Sequence, residues 1–507
     1  MNLITVDTSS ADVIMPKRLY VLVIVLAASL CLRLLYKNFK DPLRSIPGPL
    51  LGRLTGLWIT LIEFSGNRST TVHELHKKYG PVVRLAPNQL SFATTQALKD
   101  IYGANSNYTK APIYETLGFK STFTTRDRDE YRGMKKRIIP SFSPASIREM
   151  EPLVHRQLAN LIKCFDKRVD APLDILPWFR MLALGVVGEG FAGESFCGLE
   201  TEKMPQLLHD IDWVFPALIT KWSFPITSRI FEYLPFKAAR QFLNAAEDFK
   251  KYCGSAYFKY LNSFDTTARH DLIARMVNER TELLKKGQSI PRHVTETGII
   301  EELTNLIFAG TDTTGNTLTY LFWELAHHPE WQLRLRAELK ESISEQTNPD
   351  YAAVSELPVL EGITQEIFRL RPASPNGLPR VTSASGGVID GIVVPPQTIV
   401  SCQALTLHRD PILFHEPDRF NPQRWIDASK TEVLEQMREQ MFLFGKGARS
   451  CLGRTLATME IKLTLVAIVQ RYHVEIGSAT TDKDMEMIDH FVLIPKGQKC
   501  VLKLTRV

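Results

Sequence analysis

Cys451 lies in the run Phe444-Gly445-Lys446-Gly447-Ala448-Arg449-Ser450-Cys451-Leu452-Gly453. After it, Leu456, Met459, Ile461, Leu463, Leu465, Ile468 and Val469 follow a helix-like apolar pattern. The spacing predicts a thiol on a glycine-rich loop just ahead of a helix N-terminus. Backbone N–H groups and the positive end of the helix dipole both favour a thiolate there. A thiolate is what the axial position of a haem iron requires, and it pushes electron density onto the metal to favour O–O cleavage. Gly447 and Gly453 have no side chains, which would let the backbone approach a flat porphyrin. Arg449, two residues before the thiol, can pair with a propionate. An isolated cysteine in a tight turn is normally a small buried apolar residue. At this chain's own composition, Phe, Gly, Cys and Gly at those four places recur by accident about 10⁻³ times, so the spacing favours the ligand.

A second run, Ala309-Gly310-Thr311-Asp312-Thr313-Thr314, falls inside a long helical pattern from about Thr295 to His328, stopped by Pro329. Such a helix crosses a large domain, at ~1.5 Å per residue. Ala309 and Gly310 would open space on one face, with the acid of Asp312 and the hydroxyl of Thr313 beside it. Oxygen activation needs protons, and an acid–alcohol pair can relay them. Alone, Asp-Thr in mid-helix is more often a solvated or capping element. Glu366 and Arg369 stand three apart on a further helix and share a face; by itself such a pair is an exposed salt bridge of little value.

The elements that must position these residues are mainly helical. From about 128 to 345 few strand-like alternations occur. Short extended runs appear at Pro81 to Leu85 and Leu90 to Phe92, and again at Gly387-Val388-Ile389 and Ile392-Val393-Val394, where Asp390-Gly391 predicts a type I′ hairpin. The 507 residues carry 61 basic and 55 acidic side chains, a net +6, with no long basic tract to support nucleic-acid binding. The seven cysteines form no CxxC pair, so neither a disulfide framework nor a zinc cluster is indicated. No glycine-rich turn of dinucleotide or P-loop type occurs, so a flavin or nicotinamide site on this chain is not expected.

Leu19 to Leu32 is apolar apart from Tyr20 and Ser29, and its extension to Tyr36 adds Arg33. A transmembrane anchor over 19–36 is the favoured reading, over a signal peptide or a buried helix. Lys37, Lys40, Arg44 and Arg53 follow it, which places the C-terminal body in the cytosol. The expected organisation is a lumenal 1–18, the anchor at 19–36, a hinge at 37–50 around Ile46-Pro47-Gly48-Pro49, and a catalytic domain at 51–507.

Phe-x-x-Gly-x-x-x-Cys-x-Gly resembles the haem-binding signature of cytochromes P450. The 309–314 run resembles that family's oxygen-binding stretch, and Pro417-Asp418-Arg419-Phe420 its Pro-Glu-Arg-Phe segment, in family order. The resemblance covers essentially everything from Pro47 onward. It implies the cytochrome P450 fold, mainly α with small β-sheets, around a haem b ligated by Cys451 and flanked by Phe444 and Gly453. It further implies a buried structural triad of Glu366, Arg369 and Arg419. Tyr131 and Lys135 stand where the family often has Trp-x-x-x-Arg, and would hold propionates with Arg449; Lys135-Lys136-Arg137 is otherwise a solvated helix face or a docking patch for an acidic redox partner.

By resemblance the reaction is insertion of one atom of dioxygen into an organic substrate. Electrons would come from an NADPH–cytochrome P450 reductase, with cytochrome b5 as an optional donor, at the endoplasmic reticulum membrane. Tyr79 to Asn88 looks like filamentous-fungal members, so an apolar secondary-metabolite intermediate is the expected substrate. It would meet residues from Thr109 to Thr125, Phe308 to Thr313 and Pro375 to Leu378. The rival readings are a haem-thiolate isomerase or dehydratase, disfavoured by Asp312 and Thr313, and a non-catalytic haem sensor.

Overall fold

The computed structural model describes residues 41–507 apart from 234–235, 265–270, 344–347 and 430, together with residues 25 and 29. The anchor expected at 19–36, those two positions aside, lies outside the described residues, as does 1–18. Among the described residues no helix is long and apolar enough to cross a membrane.

Short strands sit on two sides of a helical body. β1 (Val82–Ala86) and β2 (Gln89–Phe92) pair antiparallel, and the five-stranded sheet runs β1-β2-β8-β5-β3, with β3 at Thr109–Lys110, β5 at Arg380–Val381 and β8 at Ile399–Cys402. β4 (Pro172–Asp174), β12 (Val501–Arg506) and β9 (Tyr472–Ile476) form a three-stranded sheet. Two hairpins stand apart. β6 (Gly387–Ile389) and β7 (Ile392–Val394) turn at Asp390 and Gly391, with φ of 48° and 76°, the left-handed pair that a type I′ turn needs. β10 (Met487–His490) and β11 (Val492–Pro495) turn at Phe491, whose φ of 79° is unusual for an aromatic side chain.

The first residues of the described body dock on this sheet. Leu43 and Ile46 are buried, Pro47 accepts from the Arg84 N–H at 2.8 Å, and Asp41 pairs with the buried Arg84 guanidinium at 2.5 Å. A side chain at Gly48 would lie 2.3 Å from the Arg84 carbonyl, so only glycine lets the chain lie this close.

The helices that carry the site are α1 (Leu57–Phe64), α2 (Arg68–Tyr79), α3 (Arg128–Ile138), α4 (Leu176–Ala192), α5 (Gln206–Ser223), α6 (Glu296–His327), α7 (Pro358–Leu370), α8 (Gln423–Ala428) and α9 (Arg454–Val469). The 32 residues of α6 span ~48 Å. Thr295 caps its start by accepting from the Gly298 N–H, and Pro329 opens the next helix. α4, α6 and α9 are buried along most of their length, and their Leu, Ile, Val and Phe side chains form the main core. Each fully buried side chain of this kind contributes about 1.5–3 kcal/mol.

α6 and α4 meet at two glycines. A Cβ on Gly310 would lie 2.3 Å from Val187 Cγ1, and one on Gly315 2.9 Å from Arg180 Cα. Gly310 therefore serves helix–helix contact, correcting the expectation that it opens space beside the reacting centre. Ala309, which is exposed, and Thr313, which is half-buried, keep accessible surface on the helix instead.

Candidate active site

Cys451 stands three residues ahead of α9, whose N-cap is Gly453. Its N–H donates to the Phe444 carbonyl at 2.8 Å, closing the loop on itself. Gly445 and Gly447 adopt φ of 63° and 66°. A Cβ at Gly447 would fall 2.1 Å from the Tyr102 carbonyl, so that glycine is demanded by the loop's own turn and its packing on Tyr102. Gly453 differs: an added Cβ would meet only the sulfur, at 4.0 Å. Phe444 packs edge-on against Phe368 of α7, with ring centres 5.4 Å apart.

The thiol keeps accessible surface although protein atoms crowd around it. Crowding pushes its pKa up, while the Gly453 and Arg454 N–H groups and the Arg454 charge pull against that. A metal bound to such a thiol takes it as the thiolate outright.

Around the loop the structure gathers cations. The Arg449 guanidinium stacks on the Tyr131 ring at 3.4 Å and donates to the Thr125 carbonyl at 2.8 Å. Tyr131 Oη and Lys135 Nζ, both from α3, donate to the Ala448 carbonyl at 2.8 and 2.6 Å. Two further cations, missed from sequence, join them: Arg380 in β5 and Lys110 in β3, both buried and brought together by β3–β5 pairing. Burial pulls Arg449 down to about 10, with repulsion from Arg380 and Arg128 adding to it. It pulls Lys110 well below the ordinary lysine range, with Arg380 and Arg449 adding to the effect. Among the described residues, none of Lys110, Lys135, Arg380 and Arg449 has a carboxylate within 4.0 Å.

Buried cations without acids are costly unless an anion joins them. A flat macrocycle with two carboxylates, seated on a thiol, supplies that charge. The donor set fits a haem. The signal for Lys110 and Arg380 was faint, because a basic residue in a two-residue strand has no sequence pattern to mark it.

Asp312 and Thr313 are consecutive and so face directions about 100° apart on the helix. Thr313 Oγ1 donates to the Ala309 carbonyl at 2.6 Å. Asp312, 7% exposed, accepts from Arg180 Nε of α4 at 2.9 Å, and Arg180 also holds Asp212 of α5 at 2.7 Å. Burial raises the Asp312 pKa, and Arg180 opposes that rise. Arg180 was overlooked, although one cation in an otherwise apolar helix was the signal.

Glu366 and Arg369 are fully buried and joined by two bonds of 2.8 and 2.9 Å. The third member expected of this cluster, Arg419, is corrected. Its side chain is exposed and pairs with Glu416, and only its carbonyl reaches Arg369, at 3.2 Å. Arg424 and Trp425 of α8 meet Glu366 instead, at 3.2 and 2.8 Å. The Glu366 carboxylate lies against the chain just beyond Arg419, where the Asn421 N–H donates to it at 2.8 Å. His408 links the cluster to the cysteine loop by accepting the Phe442 N–H at 2.8 Å.

A cavity of about 250 Å³ is lined from the expected 109–125 and 375–378 segments by residues such as Tyr114, Phe123 and Asn376. Phe308 of α6 does not line it but packs on Phe215, with ring centres 5.0 Å apart. Phe215, Trp222 and Phe491 complete an aromatic wall that the sequence had not marked.

The sequence profile of the cytochrome P450 family matches residues 46–502. The chain belongs to the cytochrome P450 family. Within it, the cytochrome P450 monooxygenase tazI of Aspergillus terreus is 30% identical over 95% of this chain and 97% of its own length. The cytochrome P450 monooxygenase stcB of Emericella nidulans is 30% identical over 92% and 89%. A trichothecene C-4 hydroxylase of Trichoderma arundinaceum is 28% identical over 89% and 91%. The chain is accordingly an oxidoreductase of the monooxygenase class, and membership implies a haem b with cysteine thiolate, an organic substrate and a redox partner.

Proposed function

We propose that Cys451 is the residue that would ligate the haem iron as a thiolate and that the enzyme oxidises an apolar secondary-metabolite intermediate. The observation that carries this is an accessible loop thiol beside a cluster of buried and half-buried cations, Lys110, Arg380, Arg449 and Lys135, none with a carboxylate within 4.0 Å among the described residues. Arg449, Tyr131, Lys135, Arg380 and Lys110 would hold the two propionates, with Phe444 and Gly453 against the macrocycle. Bound haem supplies reductive activation of dioxygen and delivery of one oxygen atom to substrate.

The chain's own residues do the rest. The cations fix orientation, and the aromatic wall keeps water away from the reacting carbon. Asp312, between the Arg180–Asp212 side and the interior, would relay a proton at its buried carboxyl, and Thr313 Oγ1 presents a hydroxyl one turn from Ala309. Electrons arrive from an NADPH–cytochrome P450 reductase, with cytochrome b5 as an optional donor, at an endoplasmic reticulum membrane that residues 19–36 anchor. The names of the relatives support oxygenation, one of them being a C-4 hydroxylase.

The test is a carbon monoxide difference spectrum of reduced wild type beside Cys451→Ala. The expected result is the red-shifted Soret band of a thiolate-bound carbonyl, absent from the variant. Haem bound to wild type without that band would end the Cys451 assignment.

A further inference from the structure

Arg68, Glu63 and Asn376 make one charged corner of the cavity, in a mainly apolar and aromatic lining that also holds Thr60, Gln89 and Ser401. Arg68 opens α2 there, 8% exposed, with Nε donating to Asn376 Oδ1 at 3.2 Å and Nη1 to Glu63 at 3.4 Å. Nη2 has no hydrogen-bond partner among the described residues. Arg68 lines the cavity, so a ligand's acceptor can take this free donor in place of water.

The charge around it decides what kind of acceptor. Glu63 already neutralises Arg68, and Asp489, beside both, has its pKa pushed up to about 7 by burial and by Glu63. The corner therefore carries little net positive charge and does not favour an anion. A neutral oxygen can take the free N–H without displacing Glu63.

The rest of the wall describes the ligand's body. Tyr114, Phe123, Phe491 and Phe215 form a row, with ring centres 5.3, 5.5 and 4.4 Å apart, and Phe215 continues to Phe308 on α6. The row thus runs from the cavity to Phe308, the residue before Ala309 on α6. The two features are tied together. Phe491 is held at its positive φ by its N–H donating to Asp489 Oδ1 at 2.9 Å, and the Asp489 N–H donates to Gly66, two residues before Arg68, at 2.8 Å.

We propose that Arg68, positioned by Glu63 and Asn376, is a specificity-determining residue that binds a neutral carbonyl oxygen on a ring-containing apolar substrate. The proposal rests on the monooxygenase reading for its function, but the binding it predicts is read without the iron.

The test measures dissociation constants by equilibrium dialysis on the holoenzyme. Three probes are compared: 2-acetylnaphthalene, 2-isopropylnaphthalene of the same outline without an acceptor, and 2-naphthoate. Wild type is expected to bind the ketone best, and Arg68→Met to weaken ketone relative to hydrocarbon by about tenfold, the worth of one hydrogen bond to a charged donor. Glu63→Gln leaves the guanidinium uncompensated and should strengthen naphthoate binding by about tenfold, whether or not Arg68→Met folds. Wild type preferring naphthoate, an unchanged ketone-to-hydrocarbon ratio in folded Arg68→Met, or no naphthoate gain in Glu63→Gln would each overturn the proposal. Loss of the thiolate-type carbonyl band in wild type would instead overturn the Cys451 reading and leave the dialysis result standing.

Discussion

Glu460 sits in α9, nine residues after Cys451 and 1% exposed, with no hydrogen-bond partner for Oε1. Burial alone pushes its pKa from the ordinary 4.5 up to about 8, so the native protein carries it as a neutral acid at physiological pH. The unfolded chain releases that proton near its ordinary carboxylate value. Between the two pKa values the native state binds a proton that the unfolded state does not, so stability falls as pH rises and levels off above about pH 8. At about 1.4 kcal/mol per pH unit over that window, the full loss is about 3–6 kcal/mol. Glu460→Gln keeps the shape and removes the titration. The variant should match wild type to within about 1 kcal/mol near pH 5 and exceed it by several kcal/mol above about pH 8.5. Urea midpoints of the full chain in detergent, followed by tryptophan fluorescence at both pH values, give the comparison. Parallel pH curves for the two proteins would show that the Glu460 carboxylate ionises in the native state, and the burial argument would fail.

Glu366→Ala strands the fully buried Arg369 guanidinium and should cost about 3–5 kcal/mol. Arg419→Ala, on the surface, should stay within about 0.5 kcal/mol; a large loss there, measured by denaturant titration, would restore Arg419 to the cluster. Gly310→Ala drives a methyl into Val187 and should destabilise by about 1–3 kcal/mol despite a helix-propensity gain of about 1 kcal/mol. Thermal midpoints should recover most of that loss in the double variant with Val187→Ala. Asp312→Asn removes the buried proton donor and should lower kcat by about 100-fold, with more oxygen consumed per product formed; an unchanged turnover number would remove Asp312 from the relay.

The sequence was most informative where chemistry depends on neighbours along the chain. The Cys451 loop, the 309–314 run and the Asp390-Gly391 hairpin were all visible as local spacing, because each is set by turn chemistry or helical period. Glu366 and Arg369 were legible for the same reason, three apart on one helix. Arg419 was misplaced because motif order says which segment reaches the cluster and says nothing about which side chain turns inward. In the structure the chain contributes the Arg419 carbonyl, and Arg424 and Trp425, a few residues later, contribute the side chains. Lys110, Arg380, Arg180 and Arg68 escaped notice because each acquires its role through contacts with residues tens to hundreds of positions away.

The faces of α6 show why these long-range contacts matter for catalysis. Gly310 and Gly315 bring α4 so close that Arg180 stands beside Asp312, which places a permanent cation against the acid assigned to proton delivery. That cation favours the carboxylate, while burial favours the acid, and the net push on the Asp312 pKa is upward. A wider helix spacing would remove Arg180 and leave a neutral acid that releases its proton poorly. A more exposed site would leave a carboxylate with none to give. The glycines that set the helix distance therefore tune the donor without touching it, and Gly310→Ala should disturb proton delivery as well as stability.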